Sequence, residues 1–148
     1  MKTIHNEAFD VTGLSTRTNN ADEMNPDSAK IGALHQRFDE NVQVNYQAGA
    51  RVYGVYYDYE SDASGEFSVL AGADRVEFAS VELETVKIPA GDYLVFEGKG
   101  EMPNAVIDAW GKVWAYFSAE NCQHERSYTV DYEYHKEPNA VEIHIAVN

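Results

Sequence analysis

Three ionisable side chains and a row of aromatic rings share one short segment near the end of the chain, Tyr128 to His135. With the period of two of an extended strand, Tyr128, Val130, Tyr132 and Tyr134 fall on one face. Thr129, Asp131, Glu133 and His135 fall on the other. The next segment divides the same way, with Val141, Ile143, Ile145 and Val147 opposite Glu142, His144 and Ala146. One face of each segment reads as core. The polar faces either meet solvent or line a cavity, and alternation alone leaves both open. In a cavity, these residue types suit the capture of a flat organic cation. Rings hold a cation by stacking and cation–π contact, at about 0.5–2 kcal/mol each. A carboxylate stripped of water is costly to keep unpaired, so it rewards a charged ligand over a neutral one. Trp110 and Trp114, one helical turn apart, offer a further ring wall or, equally, core packing.

Other chemistries find little support. No GxSxG, Walker, HExxH or GxGxxG motif is present. The histidines stand at 5, 35, 124, 135 and 144, and His135, His144 and Glu133 lack the spacing of a metal set. No metal or cofactor is expected. Cys122 is the single cysteine, which rules out an intrachain disulfide. A net charge of −14, from 25 acidic and 11 basic residues, repels phosphate backbones and excludes direct nucleic-acid binding. It attracts cations and favours solubility. The N-terminus lacks the apolar run of a signal peptide, and nowhere do 18 apolar residues run together, so a cytoplasmic, non-membrane protein is expected.

The elements that must position these residues follow from patterning. At 148 residues the chain reads as one domain. Phe9 to Leu14 suits a strand, and the polar stretch Thr16 to Ala29 reads as a loop. Pro26-Asp27-Ser28 supplies helix-start chemistry. Ile31, Leu34, His35 and Phe38 then mark one helical face, predicting a helix near Ser28–Glu40. Arg51–Tyr59 and the run EFSVLAG flank a turn at Ser61–Gly65, predicting a hairpin. The second half repeats the order: a strand around Tyr93–Phe96, a helix over Asn104–Ser118, then a final hairpin turning at Lys136–Asn139. Shifting the first helix by 79 positions lays Ile31, Leu34, His35 and Phe38 on Trp110, Val113, Trp114 and Phe117. An α+β fold is therefore predicted. It is a tandem duplication of a β-α-β-β module, spanning roughly 1–75 and 80–148, with antiparallel sheets, two main helices and a ligand pocket between the modules.

Seven segments carry a resemblance: Val11 to Asn20, IGALHQRF, VYGVYYDYESD, IPAGDYLVFEGKG, AWGKVWAYF, DYEYH and VEIHIAV, in that order. Together they resemble the gyrase-inhibitor-like, AraC-type effector-binding domain superfamily, and within it the stand-alone branch encoded on integron gene cassettes. The likeness spans nearly the whole chain. It implies two β-α-β-β units around a pocket for hydrophobic cations. Related domains are fused to DNA-binding modules in multidrug-responsive activators, and none is expected here. The family's buried ligand-contacting glutamate, in a strand of the type DYEYH, carries over to Glu133, and its aromatic wall to Trp110. The last strand departs from the family's EIYIPV, with His144 in place of a tyrosine that lines the pocket and Ala146 in place of proline. A protonated His144 would oppose a cationic ligand.

The expected contact set is Glu133, Trp110, Trp114, Tyr56, His144 and Phe38, with Asp58 as the alternative carboxylate. The implied ligands are small cationic aromatic or amphipathic molecules, with a separate regulator or a second copy of the chain as further partner. Two other readings come with the superfamily. One is hydrolysis of reactive electrophiles, with Glu133 activating water and a tyrosine or His144 assisting. The other is an acidic protein-interaction module of the gyrase-inhibitor type.

Overall fold

Period-two patterning dominates the chain, and one curled antiparallel sheet is the result. The computed structural model describes residues 2–148. The first half runs β1 (Lys2–Asn6), β2 (Phe9–Asn19), α1 (Asn20–Glu23), α2 (Ile31–Asn41), β3 (Val42–Gln43), β4 (Val52–Tyr57) and β5 (Glu66–Ala73). The second runs β6 (Phe78–Ala79), β7 (Glu84–Ile88), β8 (Gly91–Lys99), α3 (Asn104–Ser118), β9 (Val130–Glu137) and β10 (Ala140–Ala146). Among the described residues, no helix is long and apolar enough to cross a membrane.

Eight strands form one sheet in the order β1-β8-β10-β9-β4-β5-β2-β7, while β3 and β6 make a separate pair. The order is symmetric about the β9–β4 junction. On one side β8, β10 and β9 stand as β2, β5 and β4 do on the other, with α3 following β8 and with α1 and α2 following β2. The α+β architecture with two β-α-β-β runs is thus present, and the two runs join in a single antiparallel sheet. Pairing from Val52↔His135 to Tyr57↔Val130 joins them. Two small sheets side by side would each expose a row of unpaired N–H and C=O groups, and fusing their edges satisfies both.

The helices cover one face of this sheet. Leu34 and Phe38 of α2 pack on Leu14, Phe67, Val69 and Ala71. Ala105, Ala109 and Val113 of α3 pack on Leu94, Phe96, Ile143 and Ile145. The other face closes on itself around Val11, Val55, Leu70, Tyr93 and Tyr132. Curling brings the Phe9 ring of β2 to 5.6 Å from the Tyr132 ring of β9, three strands away. A flat sheet would hold them about 14 Å apart. Asn6 of β1 closes the other side by donating its amide to the Tyr132 hydroxyl.

Gly98 sets the seat of α3. A Cβ there would lie 2.3 Å from the Ala105 carbonyl oxygen and 3.1 Å from the Ala109 Cβ. Gly98→Ala should therefore cost about 1–3 kcal/mol by overpacking, read as a lower Tm in thermal denaturation. Gly111→Ala on the same helix, where the added Cβ meets nothing within 4 Å, should raise stability by up to about 1 kcal/mol through helix propensity. Equal shifts in the two variants would mean that the helix is not seated on Gly98.

Two local expectations are corrected. The stretch from Thr16 is not all loop: Thr16 to Asn19 continue β2 against Val69 to Glu66 of β5, and Thr18 is buried. A long-range ladder overrides the polar composition. Nor do Asp27 and Ser28 cap α2, which begins at Ile31 with Lys30 as its cap residue. The free amides of Lys30 and Ile31 donate instead to the Glu23 carboxylate, at 2.9 and 3.1 Å. The cap comes from α1, at a distance local rules do not scan.

Candidate functional site

Between α2 and α3, above the β4–β9 pair, lies a cavity of about 980 Å³. Drug-sized ligands occupy clefts of roughly 300–1,000 Å³. Its floor is where the two halves meet. Glu133 of β9 stands opposite Gly54 of β4, and Asp131 opposite Tyr56. Gly54 leaves room for the acid, since a Cβ there would lie 2.8 Å from Glu133 Oε1.

Glu133 is 2% exposed. Its Oε2 accepts from the Tyr56 hydroxyl and from Trp110 Nε1, each at 2.7 Å. Its Oε1 lies 3.4 Å from His135 Nε2. Burial pushes this carboxyl up, but the His135 hydrogen bond and charge, the His35 charge and the Trp110 donor outweigh it. The net position is below the ordinary 4.5, so the group is ionised at neutral pH. Burial, then the charge and hydrogen bond of Glu133, push Tyr56 well above 10.0, so it stays a donor. The Tyr56 and Trp110 rings meet edge to face with centroids 5.1 Å apart, and Trp114 follows at 6.4 Å from Trp110.

A second buried acid stands two residues away and is treated differently. Asp131 is 0% exposed. Its Oδ2 accepts from Arg126 Nη2 at 2.7 Å and from the Tyr59 hydroxyl at 2.6 Å, and its Oδ1 accepts from the Ala146 amide at 2.8 Å. The Arg126 guanidinium in turn lies 4.4 Å from the Tyr128 ring centroid. Asp131 is thus neutralised from within. Glu133 has two uncharged donors and one histidine, with no Lys or Arg within ion-pair distance among the described residues. A charge held this way suits a cationic partner.

Of the six residues singled out from the sequence, Glu133, Trp110, Trp114 and Tyr56 line the cavity together. Phe38 does not: it is 1% exposed and packs with Leu34 onto the sheet, while Ile31, His35 and Asp39, at steps of four, border the cavity. His144 does not either. Register sets Ile143 opposite Glu133 and His144 opposite Tyr132, so the polar faces of β9 and β10 lie on opposite sides of the sheet. There His144 stacks on Tyr132 at 4.4 Å and pairs with Glu142 at 3.1 Å. His135 and His144, on opposite faces, cannot share a metal. Asp58 lies past the end of β4, exposed and at φ 50°. Sequence reasoning missed His35, Tyr59, Arg126 and Gly54 as parts of the site. His35 sat on the predicted helical face and could have been found there, whereas Arg126 lies in a loop with no pattern of its own.

No curated protein matches the sequence. An integron cassette protein from the mobile metagenome of Vibrio cholerae is 43% identical, with 99% of this chain and 95% of that one covered and a TM-score of 0.92. The protein SAV2435, solved bound to tetraphenylphosphonium, is 16% identical, with 99% and 93% covered and a TM-score of 0.68, a likeness of fold. The model of the integron-associated effector binding protein family matches residues 4–147. With a half-barrel of antiparallel strands, two covering helices and a carboxylate at the floor between them, the chain belongs to the integron-associated effector binding proteins.

Proposed function

We propose that the protein is a small-molecule receptor for hydrophobic organic cations, held between the Trp110, Tyr56 and Trp114 rings over Glu133. One observation carries this reading: of the two buried acids on β9, Asp131 has a guanidinium partner and Glu133 has none. Desolvated charge without a full counter-ion disfavours uncharged ligands and rewards cations. The tetraphenylphosphonium bound by SAV2435 agrees in chemistry with such a site. Binding is favoured over hydrolysis, because a general base works best with a pKa near the operating pH. Glu133 is held below even the ordinary carboxylate value.

The test is a charge series of similar shape. Tetraphenylphosphonium, triphenylphosphine oxide and tetraphenylborate are titrated while tryptophan fluorescence is followed, since Trp110 lies in the wall. The phosphonium should bind at micromolar levels, about −8 kcal/mol. The oxide and the borate should bind at least tenfold more weakly. Equal affinity across the three would remove the cationic reading.

A further inference from the structure

Two histidines beside Glu133, His35 and His135, line the cavity. His135 is on the same face of β9, its Nε2 3.4 Å from Glu133 Oε1, and its side chain is 22% exposed against 3% for the acid. His35 reaches in from α2, with its ring centroid 6.2 Å from that of His135. The other charged groups bordering this end are committed or distant. Arg51, just before β4, donates to the carbonyls of Lys136, Tyr46 and Ala50. Lys136 pairs with Glu142 at 3.3 Å, and Arg126 pairs with Asp131. Asp39, one turn beyond His35, and Glu137 are exposed acids at the rim. Tyr56 from β4 and Trp110 from α3 are uncharged donors. Among the described residues, Tyr56, Trp110 and His135 are hydrogen-bonded to Glu133, and of these groups only the imidazole can take up a positive charge.

We propose that His135, backed by His35, is the resident counter-cation of Glu133 and sets how strongly the site separates charged from uncharged ligands. Protonated His135 neutralises the carboxylate and competes with an organic cation. Neutral His135 leaves the full negative charge for the ligand. By thermodynamic reciprocity a bound cation must lower the proton affinity of the histidine. An uncharged ligand of the same shape has no such coupling. Burial lowers the His35 pKa below 6.5, and the His135 charge lowers it further, against the opposing pull of Glu133 and Asp39. Its ring meets that of His135 edge to face.

This inference rests on the cation-binding reading, and the experiment separates the two. Dissociation constants for tetraphenylphosphonium and triphenylphosphine oxide are measured between about pH 8 and about pH 5.5 on the wild type and on His135→Gln. In the wild type Glu133, held below 4.5 with His135 beside it, stays ionised throughout. Phosphonium affinity of the wild type should fall about tenfold toward the acid end, while the oxide changes less than about twofold. In His135→Gln the phosphonium affinity should stay nearly constant. Calorimetry of the wild type near pH 6, in buffers of different ionisation enthalpy, should show proton release with the phosphonium and none with the oxide. That measurement needs no variant to fold. A flat wild-type profile with micromolar binding overturns the histidine proposal and leaves cation binding intact. Phosphonium binding to the wild type without proton release overturns it too. Failure of the phosphonium to bind at any pH overturns both.

Discussion

Glu133→Gln should weaken tetraphenylphosphonium binding at least tenfold, about 1.4 kcal/mol, and leave triphenylphosphine oxide binding almost unchanged. Glutamine keeps the volume and the geometry. Its amide oxygen can go on accepting from Tyr56 and Trp110, which now hold Oε2 at 2.7 Å each, and its amide nitrogen can donate to a neutral His135. Only the charge is deleted. With those hydrogen bonds kept, folding stability should change by less than about 1 kcal/mol. That separates a binding role from a structural one. A variant that binds the phosphonium as tightly as the wild type would show that the attracting charge is elsewhere. Asp131 could not supply it, because Arg126 already neutralises it, and Asp58 lies outside the cavity lining.

Arg126→Met should produce the largest loss of stability. It strands Asp131, whose side chain is 0% exposed, with hydrogen bonds from Tyr59 and the Ala146 amide but no counter-charge. Breaking a buried pair by removing one partner typically costs about 3–5 kcal/mol. For a chain of this size that lowers Tm by roughly 6–20 °C. Removing Asp131 as well, in Arg126→Met/Asp131→Asn, should recover part of the loss, so the double variant is more stable than the sum of the two singles predicts. A loss under about 1 kcal/mol in the single variant would show that the pair is not buried in solution. Because Arg126 also borders the cavity, phosphonium titration of the folded variant tells whether its charge repels ligands at a distance.

How much of this could be read from residues alone varies along the chain. Helix α3 was legible to its ends, because Asn104 to Ser118 has a strong apolar face and no competing pattern. The alternation on β9 put Glu133 and Asp131 on one face, and the structure places that face toward the cavity. The capping of α2 by Glu23 was not legible, since the bond spans seven and eight residues and crosses a loop. Nor was the full length of β2, whose polar end is a strand only because β5 lies beside it.

The sequence by itself determined the α+β class, the repeated order of elements, and which residue types sit in register on each strand, because these depend on periodicities of two and of 3.6 residues. Only the tertiary structure decided which side of the sheet each register faces. Pairing Ile143 with Glu133 sends His144 to the closed inner side beside Tyr132, although both strands alternate alike. Likewise, only packing gave Asp131 a guanidinium and left Glu133 with neutral donors and a histidine. Alternation treats these two acids as equivalent, and their difference arises from contacts with Arg126, in the loop just before β9, and with Tyr56 and Trp110, brought in by a strand and a helix far away in sequence.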